Sequence, residues 1–204
     1  MLPTCLRTVS VETGMDLKAD IKFTVTGQLW RFDLAYHSQY NEGDYQSVGN
    51  MFLLPIKTKF RGNAPFADPN SEDIIDEALD LFRANCLFRN FEIKGNADRV
   101  LIYLILFISQ CLGSINKLTP QGEALKTLNT LAVSNFAIPS DPAFPLNAMY
   151  QAPTDKFQIE QMKQYMQQLR QELVVRLVDR IYIDGHPSKW WMCFSKRKFM
   201  NLSL

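Results

Sequence analysis

Histidine is nearly missing from this chain: His37 and His186 are the only two in 204 residues. Acid–base catalysts working near neutral pH, and many metal centres, draw on imidazole, so such sites have little raw material here. Cysteine is sparse and unpaired. Cys5, Cys86, Cys111 and Cys193 form no CxxC spacing, which argues against a zinc ribbon or a disulfide framework and for reduced thiols that pack as small hydrophobes. Excess charge of one sign is also lacking. Twenty-two basic and 21 acidic residues give a net charge of +1 and a pI near 7.6, whereas a protein that grips phosphates should be visibly basic. The longest apolar run, Val100 to Ile108, is nine residues, about half of what a bilayer crossing needs. Met1 to Ser10 contain no apolar stretch of the kind that marks a secretory signal. The expectation is a soluble cytoplasmic protein without membrane insertion or nucleic-acid partner, and the Asn201-Leu202-Ser203 sequon carries no weight in that setting.

Catalytic signatures are missing as well. No phosphate loop, dinucleotide-binding glycine motif, HExxH or calcium loop occurs. Cys193 and His186 lie seven residues apart across Pro187, an arrangement better read as a turn histidine and a packed thiol than as a nucleophile and base. Asp73, Asp76, Glu77 and Asp80 are spaced as on a helix and read as a solvated face that complements the helix dipole. No catalytic, cofactor-binding or metal-ligating residue is expected.

What the chain has is helix. With 47% apolar residues it can build a core. Asn70 or Ser71 can cap a first helix with Ile74, Ile75, Ala78, Leu79 and Phe82 on one face. Asn96 can cap a second, about 97–116. Because Val100 to Ile108 point in every direction around its axis, this helix must be enclosed by other elements; a buried strand is the rival reading. Thr119-Pro120 opens a third helix, with proline at its first position. Asp155 opens the longest, to about Ile181, with Ile159, Met162, Met166, Leu169, Leu173 and Leu177 inside and Gln161, Lys163, Gln164, Gln167, Gln168, Arg170 and Gln171 on the wet side. Ser188 can cap a short fifth. The fold class is therefore all-α: about five helices, one apolar and surrounded by the others. Long extended proline-rich segments accompany them, at 41–71, anchored by Met51 to Ile56, and at 135–153, packed through Phe136, Phe144 and Tyr150. Residues 35–204 are expected to form one helical domain. Residues 1–34, with a lone alternating stretch Ile21 to Val25, are expected to be a disordered or loosely attached extension, or an artefact of the assigned gene start.

Without chemistry, surface remains. Pro187-Ser188-Lys189-Trp190-Trp191-Met192-Cys193-Phe194 runs into Lys196-Arg197-Lys198-Phe199. Adjacent tryptophans on a helix diverge by about 100° and are hard to bury together, and Trp and Arg are enriched among interface anchors. The candidate protein interface is Trp190, Trp191 and Phe199 as anchors, Lys189, Lys196 and Arg197 as rim, with Phe144 and Pro145 in the proline-rich loop as a second patch. The alternative is that one tryptophan belongs to the core and the lysines are solvated.

Six blocks then carry a resemblance: Gly49 to Ile56 (GNMFLLPI), Asp73 to Ala78 (DIIDEA), Ala97 to Tyr103 (ADRVLIY), Phe144 to Tyr150 (FPLNAMY), Gln167 to Glu172 (QQLRQE), and PSKWWMCF with KRKFMN. In order and spacing they resemble the 21 kDa subunit family, subunit 3 of the actin-related protein 2/3 complex, from about Ala35 onward. The resemblance implies a helix surrounded by helices and a non-catalytic part of a seven-subunit assembly that nucleates branched actin filaments. It implies contact chiefly with the actin-related protein 3 subunit near the branch junction, with actin filaments as a further partner. ATP would bind to the actin-related subunits, and the location would be the cytoplasm and cytoskeleton, at the actin-rich cortex and projections. Family members begin close to Ala35, so residues 1–34 have no counterpart. Two other function classes compete: a free-standing thiol enzyme using Cys193, and a stand-alone adaptor that dimerises through residues 155–181.

Overall fold

Asp73 starts the first helix. Its carboxylate accepts from the backbone N–H of Ile75 and Asp76, both at 3.1 Å, opening α1 (Ile74–Asn85). The expected caps are used one turn earlier: Ser71 Oγ donates to the Asp68 carbonyl and the Asn70 N–H to the Asp68 carboxylate. In the computed structural model, which describes residues 35–87 and 91–195, a 3-10 turn (Gln39–Glu42) precedes a small antiparallel pair, β1 (Ser47–Val48) and β2 (Met51–Phe52). After α1 come α2 (Asn96–Ser114), α3 (Gln121–Val133), α4 (Lys156–Ile181), a second small pair, β3 (Tyr182–Ile183) and β4 (His186–Pro187), and the one-turn α5 (Lys189–Met192). The protein is mostly helical; the two pairs, two residues per strand, are additions to the all-α expectation. At the second of these, Asp184 and Gly185 both have positive φ, 53° and 77°, as a two-residue hairpin turn following the strand twist requires. The alternating stretch Ile21 to Val25 lies outside the described residues.

α2 organises the core. Every side chain from Val100 to Ile108 is fully buried, and the helix meets α1, α3, α4, β2 and the 3-10 turn. By length and composition alone it could cross a membrane, but it lies largely inside the protein. Burying each large apolar side chain contributes about 1.5–3 kcal/mol before ordering costs. Its cap is not Asn96, which is the first helical residue and accepts from Arg99. Asn41, from the extended segment, reaches across instead, and its Oδ1 accepts from the Ala97 and Asp98 N–H groups at 3.1 and 3.2 Å. Gly95 permits this approach, since a Cβ there would lie 2.2 Å from that oxygen.

α4 buries Met162, Met166, Leu169, Leu173 and Leu177. Gln168 and Arg170, expected on its wet side, are buried too. Gln168 donates to the Phe60 carbonyl and accepts from the Ala64 N–H, pinning the extended segment. Arg170 donates to the Leu131 and Ala132 carbonyls at the end of α3 while its guanidinium lies 4.1 and 4.6 Å from the Phe107 and Phe136 ring centres. α3 begins one residue later than expected, with Pro120 at the cap position.

Candidate functional site

The acidic residues at the start of α1 are structural, and the solvated-face expectation fails for three of them. Asp73 is almost wholly buried and Glu77 nearly so, while Asp76 is partly buried. Arg176 of α4 forks onto Asp73 (2.7 and 2.9 Å) and Asp76 (3.0 Å), reaches Glu172, and also donates to the Lys57 carbonyl. The Lys57 ammonium meets Asp76 at 2.7 Å. Burial alone would raise the Asp76 carboxyl, but the Lys57 and Arg176 cations outweigh it and hold Asp76 below its usual range. The same carboxylates push the Arg176 guanidinium up against its own burial. Glu77 goes the other way: burial raises it, despite hydrogen bonds from the Gln39 N–H and Ser38 hydroxyl, with the Asp98 charge adding to the rise. Only Asp80, paired with Arg180, stands in solvent.

A second tether is Asp98 on α2. Fully buried, it accepts from the Ser38 and Lys94 N–H groups and the Asn41 amide and lies 2.8 Å from His37 Nδ1. Residues 37, 38, 39, 41 and 57 are thus fastened to helices through charged side chains. His37, half of the chain's imidazole, is spent on this tether. His186 is exposed in β4, and Cys193 is exposed with its thiol directed to the Trp190 carbonyl. Burial pushes the Cys111 thiol up, leaving it inert in α2. Among the described residues no group of three or more His, Cys, Asp or Glu is placed to hold a metal ion.

The C-terminal pole is where the sequence placed the interface. β3 carries the chain out of α4, and the Ser188 N–H returns to the Ile181 carbonyl at 2.8 Å, setting the direction of α5. The two tryptophans then part. Trp191 turns inward, stacking on Phe82 of α1 at 5.8 Å, and the Arg83 guanidinium lies over its ring at 5.0 Å from the centre. Trp190 turns outward and is 75% exposed beside exposed Lys189. Phe144 is buried against Tyr150, at 5.2 Å between ring centres, and Pro145 is partly exposed. Trp191 and Phe144 have therefore given most of their area to this chain's own core, Phe144 as expected of the packed loop and Trp191 as in the reading that puts one tryptophan inside, which leaves Lys189, Trp190 and Pro145 as the described candidates with outward surface. Lys196, Arg197 and Phe199 lie outside the described residues.

Sequence reasoning missed two members of this pole. The Tyr182 hydroxyl donates to the Thr119 carbonyl at 2.9 Å, drawing the α2–α3 turn beside the β3–β4 hairpin. Leu118, 92% exposed, and Ile183, 61% exposed, thereby share the end of the molecule that carries Trp190. Each is unremarked as a single surface residue; only the long-range hydrogen bond groups them. The α4 seam that a helix-pair dimer would use is meanwhile filled by the chain itself, since Met162, Met166, Leu169, Leu173 and Leu177 are all inside.

Residues 34–204 match the model of the family described as P21-Arc, ARP2/3 complex ARPC3 (21 kDa) subunit. A Schizosaccharomyces pombe protein named actin-related protein 2/3 complex subunit 3 is 54% identical over 173 residues, covering 83% of this chain and 99% of that protein. Proteins of the same name from Dictyostelium discoideum and Arabidopsis thaliana are 50% and 36% identical, covering 84% and 83% of this chain and 100% and 98% of theirs.

Proposed function

Because this chain belongs to the P21-Arc family, the 21 kDa subunit of the ARP2/3 complex, we propose that it is a non-catalytic structural subunit of that assembly. It docks on the actin-related protein 3 subunit near the branch junction and so supports nucleation and branching of actin filaments in the cytoplasm, at the cortex and in projections. Spontaneous nucleation is slow because the first few actin subunits lose their freedom before enough contacts form to offset it. Two actin-related subunits held side by side stand in for that nucleus, and this chain orients one of them and adds contact area beside the filament. The described residues act as one body for this purpose, with α2 enclosed as its mast and the tethers at Arg176 and Asp98 locking the extended segment to the helices.

The observation that carries the docking assignment is Trp190: a 75%-exposed indole on a turn whose neighbour Trp191 is anchored in the core. A stable subunit contact buries on the order of 1,600 Å² with aromatic anchors near its centre. Trp190, with Lys189 beside it at the rim and the exposed Leu118 and Ile183 adding apolar area, provides such a centre. Replacing Trp190 with Ala tests this. Incorporation of the full chain into the complex should weaken at least tenfold, with helical content and unfolding midpoint unchanged; unaltered incorporation would remove the pole from the interface.

A further inference from the structure

α1 has a second surface at its opposite end. A groove of about 660 Å³ is lined there chiefly by Tyr40, Tyr45, Phe66, Asp68 and Glu72. Phe66 is 85% exposed, so its ring stands at the groove with almost all of its area unspent. The tyrosines are fixed. Tyr45 packs edge-on against Tyr40 at 6.3 Å and Phe52 at 5.6 Å, and the Tyr40 hydroxyl donates to the Glu72 carbonyl at 2.7 Å.

The electrostatics have one sign. Two carboxylate residues and no Lys or Arg line the groove. Of the cations tied to the start of α1, Lys57 is already held by Asp76, and Arg176 is shared among Asp73, Asp76 and Glu172. The Tyr40 phenol is pushed up to about 12, first by its burial and then by the charges of Glu77 and Asp73 on α1. Aromatic faces carry negative potential and attract ammonium and guanidinium groups, most strongly where water is excluded. Three rings, two carboxylates and no resident cation therefore complement one kind of group.

We propose that this groove receives a lysine or arginine side chain of a neighbouring subunit, seated among Tyr40, Tyr45 and Phe66 and balanced by Asp68 and Glu72. The proposal builds on the assembly reading above and makes the chain a bridge, holding one neighbour by an apolar pole at one end of α1 and a second contact by an acidic aromatic groove at the other.

Hydroxyl-radical footprinting of the full chain, alone and within the assembled complex, reads the occupancy of Phe66 directly. Its oxidation should fall at least fivefold on assembly. The D68N/E72Q pair removes the charge without touching a buried residue and should weaken incorporation about tenfold at low salt, with a smaller deficit at high salt; F66A should weaken it similarly. Equal Phe66 reactivity in both states overturns the proposal. So does protection that D68N/E72Q leaves intact with unchanged affinity, because the cover is then apolar, and so does protection that appears in the isolated chain as its concentration rises, because the occupant is then a second copy. A chain that enters no complex at all fails the assembly reading, which is scored separately by co-purification.

Discussion

Arg176 shows how one side chain decides whether two distant segments belong to the same body. It is 103 residues from Asp73 and 119 from Lys57, and it bonds to both. Asp73 has no exposed side-chain surface, so removing its cation leaves a buried charge unbalanced, which typically costs about 3–5 kcal/mol. R176A should lose roughly 3 kcal/mol or more in urea unfolding, and R176K should recover only part of that, since an ammonium cannot fork. The acid response follows from Asp76. Its folded pKa is depressed, so its contribution to stability is present above the ordinary carboxylate value near 4 and is lost as pH falls through the lower folded value. Glu77, raised in the fold, acts oppositely: its contribution is present at low pH and fades as pH rises through its folded value. D76N should therefore lose less stability than the native chain as pH falls below about 4, measured by denaturant midpoints at each pH; an unchanged acid limb would deny Asp76 its ion pairs.

At the scale of elements, α2 and α5 make contrasting predictions. Leu104 lies at the centre of the buried helix, and L104A should cost about 2–5 kcal/mol, whereas L118A, in the exposed turn after α2, should stay within about 0.5 kcal/mol. The two tryptophans separate in the same way: W191A should cost about 3 kcal/mol or more through loss of the Phe82 stack, and W190A almost nothing. Helix periodicity is local, which is why α1 and α4 can be read from the sequence with ends displaced by a residue or a turn. Caps supplied from elsewhere in the chain cannot. Asn41 capping α2 leaves no trace within the helix it caps, and Asn96 looked the better candidate for that reason alone. Likewise Gln168 and Arg170 have the composition of a wet face, and only the Phe60 and Leu131 carbonyls that receive them reveal burial. Adjacent tryptophans announced that one would face out, but which one depends on the position of Phe82, more than a hundred residues earlier.

For the whole of the described structure, the apolar helix is wrapped in its neighbours, burial keeps the Cys111 thiol within it unreactive, and most charged groups on α1 are occupied in holding the chain to itself. What remains outward is contact area, in accord with membership of a family of complex subunits. Lys196 and Arg197, expected at the rim, and Phe199, expected among the anchors, lie outside the described residues, and their part in the interface stays a sequence-based proposal. The most direct measurement is quantitative mass spectrometry of what co-purifies with the tagged full-length chain, native and W190A side by side. The account predicts an equimolar set of actin-related protein 2/3 subunits with the native chain and a severalfold loss of that set with W190A, the variant itself remaining folded. Recovery of the native chain alone, or of companions lacking any actin-related protein, would contradict it.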